Sequence, residues 1–112
     1  MLLALTLPPS KNREPSHRWA RYRLKQEWER LAYQAWLAAG LPRFDAVEIT
    51  PRFCVWQLRD ADNNNSLAFK GIIDGLKGRL VPDDSTRFLT LAPDVCEVDR
   101  RLQRLELHIL AV

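Results

Sequence analysis

Short runs in which hydrophobic and polar residues alternate predict β-strands in four parts of the chain. The run 3–7 alternates leucine with Ala or Thr and stops at two prolines, which have no N–H for a strand ladder. The run 104–109 alternates charged residues with Leu or Ile, and a further strand fits 87–91. A longer run over 47–56 contains Pro51, which predicts an edge strand or a bulge.

Two segments between these strands have the spacing of amphipathic helices. Over about 19–39, apolar residues recur at the i, i+4 and i+7 positions of one helix face, and Gly40 is the expected stop. The second helix is expected over about 67–77. Gly71 and Gly75 inside it each cost roughly 1 kcal/mol relative to alanine. Such glycines are tolerated where a backbone or a ligand comes close, so we expect a close approach there.

The order of elements is β-α-β-α-β-β, which predicts an α+β fold with two layers, a small mixed β-sheet of about four strands and two helices on one face. A chain of 112 residues fits a single domain spanning 1–112. No apolar run is long enough to span a bilayer, and the first strand is too short for a signal peptide. Two cysteines without a secretion signal favour a reducing compartment, so we expect a cytoplasmic protein without membrane contact.

The charge distribution suggests a polyanionic ligand. The net charge is +3, and most of the basic residues are arginine, whose planar group suits phosphate oxygens. Basic residues concentrate in 11–30 and aspartates in 60–84. The same asymmetry also occurs on ordinary solvated surfaces. No Walker loop, dinucleotide glycine fingerprint or zinc-type spacing of Cys and His occurs, which argues against those classes of protein.

Two pairs of aspartates are candidates for binding a divalent cation. If the strand before them continues, Asp60 and Asp62 point to the same side and repel unless a proton or a cation lies between them. Mg²⁺ prefers such oxygen ligands together with substrate phosphates. The second pair is Asp83 and Asp84. The competing interpretation is structural. The first pair also has the residue types of a turn, where Asp bonds to its own backbone, and either residue of the second pair could be a capping or turn residue.

Lys70 lies near the start of the second predicted helix, where a cation opposes the helix dipole. Contact with a phosphate group would compensate for this unfavourable placement. A solvated lysine is the competing interpretation.

Four segments taken together resemble the RusA family of Holliday junction resolvases. They are Pro-Pro-Ser-Lys-Asn at 8–12, Arg-Asp-Ala-Asp-Asn at 59–63, Lys-Gly-Ile-Ile-Asp-Gly-Leu at 70–76 and Asp-Asp-Ser at 83–85. The resemblance extends over nearly the whole chain. It implies a homodimeric endonuclease that depends on Mg²⁺, with Mn²⁺ as a substitute, and resolves branched DNA in recombination and repair.

The resemblance also implies roles for individual residues. The metal ligands are expected to be Asp60, Asp62 and Asp84, with Asp83 as the alternative to Asp84, and the essential lysine falls on Lys70. A metal ion held there would activate a water molecule for in-line attack on a phosphodiester. Five basic residues are expected to hold the DNA backbone: Lys11, Arg13, Arg18, Arg21 and Arg59.

The sequence departs from the family pattern in two places, and these departures motivate alternatives. The loop between Asp62 and Lys70 is longer than in the best-known members, and Arg59 alone remains of the arginine run before the first acids. A non-catalytic module of the same fold that binds branched nucleic acid is the first alternative. A structural or partner-binding domain, whose aspartates are turn residues, is the second.

Overall fold

The computed structural model describes residues 1–59, 61–82 and 87–112, with Ala61 and Asp62 described by their backbone alone. These residues form five strands and two α-helices in the order β1 (Leu2–Thr6), α1 (Arg18–Ala39), β2 (Val47–Val55), α2 (Leu67–Leu76), β3 (Leu89–Leu91), β4 (Val95–Val98) and β5 (Arg104–Ala111). A short 3₁₀ turn precedes each helix, at Lys11–Arg13 and Ala61–Asn64. Neither helix in the described ranges has the length and apolar character needed to cross a bilayer.

The strands form one mixed sheet in the order β1-β5-β2, with β3 and β4 sharing the other side of β2. β5 is antiparallel to both of its neighbours, whereas β3 and β4 run parallel to β2. Alternate residues of β1, β2 and β5 are buried against α1 and α2, which gives two layers around one core. The predicted α+β class, with a mixed sheet and two helices, is confirmed. The strand that the sequence did not predict is β4, whose four residues do not alternate in polarity.

Pro51 interrupts the sheet on one side of β2. The carbonyls of Ile49 and Val55 both accept hydrogen bonds from the β3 and β4 side, at 2.9 Å each, so the alternation of the backbone turns Pro51 to that side too. Proline has no N–H to continue the ladder there. The chain leaves the ladder at this point, and the three residues 92–94 lie opposite only two residues of β2. β2 is paired on both sides and is a central strand. Of the two alternatives that Pro51 predicted, the edge strand is wrong, and the structure shows an irregularity in which the extra residue lies on the chain opposite β2.

The two helices pack backbone against backbone at the glycines of α2. A Cβ atom built on Gly71 would lie 2.6 Å from the carbonyl oxygen of Lys25, and one built on Gly75 would collide with the backbone of Glu29. The close approach expected from the sequence is confirmed, and the partner is the backbone of α1. Gly40 ends α1 with a φ of 64°, the left-handed conformation that glycine adopts readily.

An ion pair also joins the two helices. The Lys25 Nζ atom lies 2.8 Å from Oδ2 of Asp74, and Lys77 approaches the other oxygen at 3.4 Å. Burial raises the pKa of the Asp74 carboxyl, but the ion pairs with Lys25 and Lys77 outweigh burial and leave this pKa below its ordinary value of 3.8. The ionised carboxylate is thus favoured in the folded state.

We expect Asp74→Asn to lower stability at neutral pH and to lose that effect in acid. Because the folded-state pKa is depressed, the contribution of Asp74 is complete above its unfolded pKa and disappears as pH falls through the folded value. The measurement is the free energy of unfolding in urea for both proteins, from neutral pH down to about pH 2. A difference that stays constant over this range would contradict the prediction.

Candidate nucleic-acid interface

The segment after β2 is held in place by one buried asparagine. The Asn64 side chain is 2% exposed, and its Oδ1 accepts a hydrogen bond from Arg59 Nε at 2.7 Å. Its Nδ2 donates to Oδ2 of Asp94 at 3.2 Å. Asn64 therefore links the Ala61–Asn64 turn both to Arg59 and to the residues between β3 and β4.

The start of α2 is tied to the loop before α1. Ser66 Oγ accepts from the backbone N–H of Phe69 at 3.1 Å, and Glu14 Oε1 accepts from that of Leu67 at 2.6 Å. These contacts satisfy two N–H groups that the first turn of a helix leaves without partners. The other Glu14 oxygen, Oε2, lies 3.0 Å from Nη1 of Arg21. Glu14 thus brings the Lys11–Arg13 turn against the Ala61–Asn64 turn.

An open cleft of about 520 Å³ lies beside these turns, and we call it the arginine cleft. It is lined by residues 7–10 and Arg13, which follow β1, by residues 55–57 and Arg59 at the end of β2 and just after it, and by Gln103. None of the described residues that line it is acidic. The arginine cleft therefore presents positive charge with few compensating groups, which suits an anionic ligand.

Arg59 is the more constrained of the two arginines in the cleft. Burial lowers the pKa of its guanidinium group, the neighbouring Cys96 thiol acts in the opposite direction, and the charge of Arg13 lowers the pKa further. The group still carries its charge at neutral pH. Its Nη2 atom is buried and has no hydrogen-bond partner among the described residues. A phosphate near Arg13 and Arg59 would relieve the repulsion between these two cations.

The five basic residues expected to bind DNA differ in their surroundings. Arg13 and Arg59 line the arginine cleft. Lys11 is exposed in the first 3₁₀ turn, and Arg18 is exposed at the first residue of α1. Arg21 is held by Glu14 and by the carbonyl of Pro15, so part of its capacity for hydrogen bonds is already used.

Most of the acidic residues expected to bind metal lie outside the residues that the structure describes. Asp60, Asp83 and Asp84 lie outside the described residues, and the Asp62 backbone lies in the Ala61–Asn64 turn. β2 ends at Val55, so the strand does not continue through the first pair and the argument from alternation does not apply. Among the side chains that are described, no three Asp, Glu, His or Cys groups lie close enough to hold a metal ion.

The described neighbours of the two acidic pairs lie at opposite ends of α2. Asp62 is in the turn just before the helix, whereas Val81 forms an isolated bridge with Lys77, the residue that caps its end. A helix of ten residues is about 15 Å long. Lys70 is exposed near the start of α2, which is the end of the helix that the Asp62 turn precedes. It forms no ion pair with any described side chain.

Three residues that build this region were not identified from the sequence: Glu14, Asn64 and Asp94. Glu14 lies in a loop rich in proline and charge, and Asn64 lies in a run of three asparagines that indicates only a turn. The partners of Glu14 and Asn64 are 53 and 30 residues away along the chain. No local pattern carries a signal for contacts of that separation.

No family model matches the chain, and no curated protein matches it either. The resemblance to the RusA family therefore rests on the four short segments quoted above.

Proposed function

We propose that this protein is a Mg²⁺-dependent endonuclease that resolves Holliday junctions and related branched DNA by paired phosphodiester hydrolysis in recombination and repair. The observation that carries the proposal is the arginine cleft, which opens just before the segment of Asp60 and Asp62. Arg59 joins the two features, because it lines the cleft and directly precedes Asp60. A metal-dependent nuclease requires positive charge for the DNA backbone and carboxylates for the metal ion, and in this sequence Arg59 directly precedes the candidate carboxylates.

The chain's own residues have separate tasks in this proposal. Arg13 and Arg59 hold the phosphates that flank the scissile bond and displace their counterions, without reading the base sequence. Lys70 binds the scissile phosphate or the leaving oxygen as a point charge. The ligands of the metal are Asp60 and Asp62 with Asp84, or with Asp83 in its place. Carboxylate oxygens are the donors that Mg²⁺ prefers, and Mn²⁺ accepts the same set.

The bound Mg²⁺ would lower the pKa of a water molecule and neutralise charge that develops on the phosphate. A four-way junction has approximate two-fold symmetry and requires two symmetric nicks. A homodimer with one site in each subunit meets that requirement.

A non-catalytic module that binds branched nucleic acid is the second candidate. It is favoured by the positions of Asp62 and Val81. Val81 lies two residues before Asp83 in the sequence, and α2 separates it from Asp62. In this alternative the arginine cleft still binds DNA, and the aspartates serve as turn residues.

The test is incubation of the wild-type protein with a synthetic four-way junction in Mg²⁺ or Mn²⁺, with a linear duplex as the comparison. Paired nicks in the junction and none in the duplex support the endonuclease. A gel shift of the junction without nicking, at every protein concentration, supports the binding module. A protein that neither shifts nor nicks the junction would contradict both.

A further inference from the structure

Trp56 is a large aromatic residue that lines the arginine cleft and is exposed. Its side chain is 57% exposed, although tryptophan is highly buried on average. It follows Val55, the last residue of β2, so the sheet fixes the position of its backbone. Arg59, three residues further along the chain, lines the same cleft.

A third arginine, Arg100, contacts Trp56. The Arg100 guanidinium lies 5.4 Å from the centroid of the Trp56 ring, and its Nε donates to the Trp56 carbonyl at 3.4 Å. Arg100 is not among the described residues that line the cleft. The guanidinium over the ring favours this orientation of the indole, which reduces the entropy that a ligand would lose on binding to it.

The remaining walls of the cleft have the chemistry of a nucleotide site. Arg13 and Arg59 supply positive charge for a phosphate, and Gln57 and Gln103 are amides of the kind that pair with the edges of bases. The volume of about 520 Å³ falls within the usual range for a small-ligand site. Flat aromatic rings beside a basic groove are how proteins bind unpaired nucleotides, because every base has a face that can stack.

We propose that the arginine cleft receives an unpaired nucleotide of the DNA, with its base stacked on Trp56 and its phosphate held by Arg13 and Arg59. This inference rests on the proposed function in one respect, since it takes a nucleotide that becomes unpaired at a branch point as what the site recognises. It makes Trp56 a residue that determines specificity and assigns it no part in bond cleavage.

Trp19 offers a matched control for Trp56. Its side chain is 59% exposed and also carries an arginine, with the Arg18 guanidinium 5.5 Å from the ring centroid. Trp19 lies at the start of α1 and is not among the described residues that line the cleft. If the loss of exposed aromatic surface alone weakened DNA binding, substitutions of Trp19 and Trp56 would weaken it equally. The proposal predicts a specific effect for Trp56 alone.

The experiment measures the affinity of each variant for a fluorescent oligothymidylate of about ten nucleotides and for a duplex of the same length, in EDTA so that no nicking occurs. We expect Trp56→Leu to weaken binding of the single strand about tenfold and to leave duplex binding unchanged. Trp56→Phe should retain most of the affinity, because its ring still stacks. Trp19→Leu should leave the ratio of the two affinities unchanged. Thermal melting of each variant checks that it is folded.

A second measurement needs no variant. Irradiation of the wild-type protein with an oligonucleotide that carries 5-iodouracil should crosslink Trp56, and mass spectrometry identifies the residue. The inference is overturned if the wild type does not bind the single strand, if the crosslink forms elsewhere, or if Trp56→Leu weakens both DNA forms equally.

The results of these binding and crosslinking experiments can be distinguished from the results of the nicking assay. If binding of the single strand depends on Trp56 and no junction is nicked, the nucleotide site in the cleft is supported and the nuclease is contradicted. If the wild type nicks the junction and Trp56→Leu binds the single strand as the wild type does, the nuclease is supported and the nucleotide site in the cleft is contradicted.

Discussion

The Asp60→Asn variant is expected to lose Mg²⁺-dependent nicking of a four-way junction by at least about 10³-fold while it keeps its affinity for the junction. Asparagine has nearly the same shape as aspartate but no charge, so it is a poor ligand for a hard cation. A metal ion supplies several kcal/mol of transition-state stabilisation, and each 1.36 kcal/mol corresponds to a tenfold change in rate. Affinity is retained because contacts between arginine and phosphate supply most of it.

Asp45→Asn is the matched control for this loss. Asp45 is an exposed aspartate just before β2, at the opposite end of that strand from Arg59, and the substitution makes the same change of charge. We expect it to nick the junction like the wild type. Full activity in Asp60→Asn would remove the assignment of this residue as a ligand. Equal losses in both variants would show that net charge, and no metal site, governs the rate.

The same assay distinguishes the two neighbouring candidates for the third ligand. Asp84→Asn should abolish nicking as Asp60→Asn does, and Asp83→Asn should retain it. The opposite result would assign the ligand to Asp83. Activity in both variants would show that neither aspartate is a ligand and would leave Asp60 and Asp62 as the metal-binding pair.

The Gly75→Ala variant is expected to destabilise the fold by about 2 kcal/mol, although alanine favours a helix by roughly 1 kcal/mol over glycine. The added Cβ would collide with the carbonyl oxygen of Glu29 and would lie 2.9 Å from its Cα. Both atoms belong to the backbone of α1, so no side chain can rotate away to make room. The helices would have to separate, and the contacts around Ile72 and Leu76 would loosen.

The measurement is the free energy of unfolding from urea titrations, with Lys70→Ala as the control. Lys70 is exposed on the same helix, so that substitution should change stability by no more than about 0.5 kcal/mol. A Gly75→Ala protein as stable as the wild type, or more stable, would show that α1 and α2 separate without cost. The close packing of their backbones would then not limit the stability of the fold.

The parts of the fold that the sequence predicted are those with a local cause. The alternation in β1 and β5 and the helical spacing in α1 and α2 follow from the burial of one face of each element, and that face repeats within a few residues. Gly75 was informative for the same reason, because a residue that weakens a helix must be compensated where it stands. The class of the fold follows from these elements and their order.

The sequence alone did not predict the features that depend on distant partners. β4 forms because its backbone pairs with β2, whereas its own four residues show no alternation of polarity. Pro51 indicated an irregularity, but the neighbouring strand decided that the break lies on the β3 and β4 side of a central strand. The arginine cleft likewise exists only because the residues after β1 fold against those that follow β2.

The candidate chemistry divides in the same way. The acidic pairs, Lys70 and the basic segment are visible in the sequence because residue type and spacing are local properties. The tertiary structure decided that Arg13, Trp56 and Arg59 line one cleft, and that Glu14 and Asn64 hold the segments around them. Those contacts depend on the direction in which each element leaves the core, and that direction is set by the packing of the whole chain.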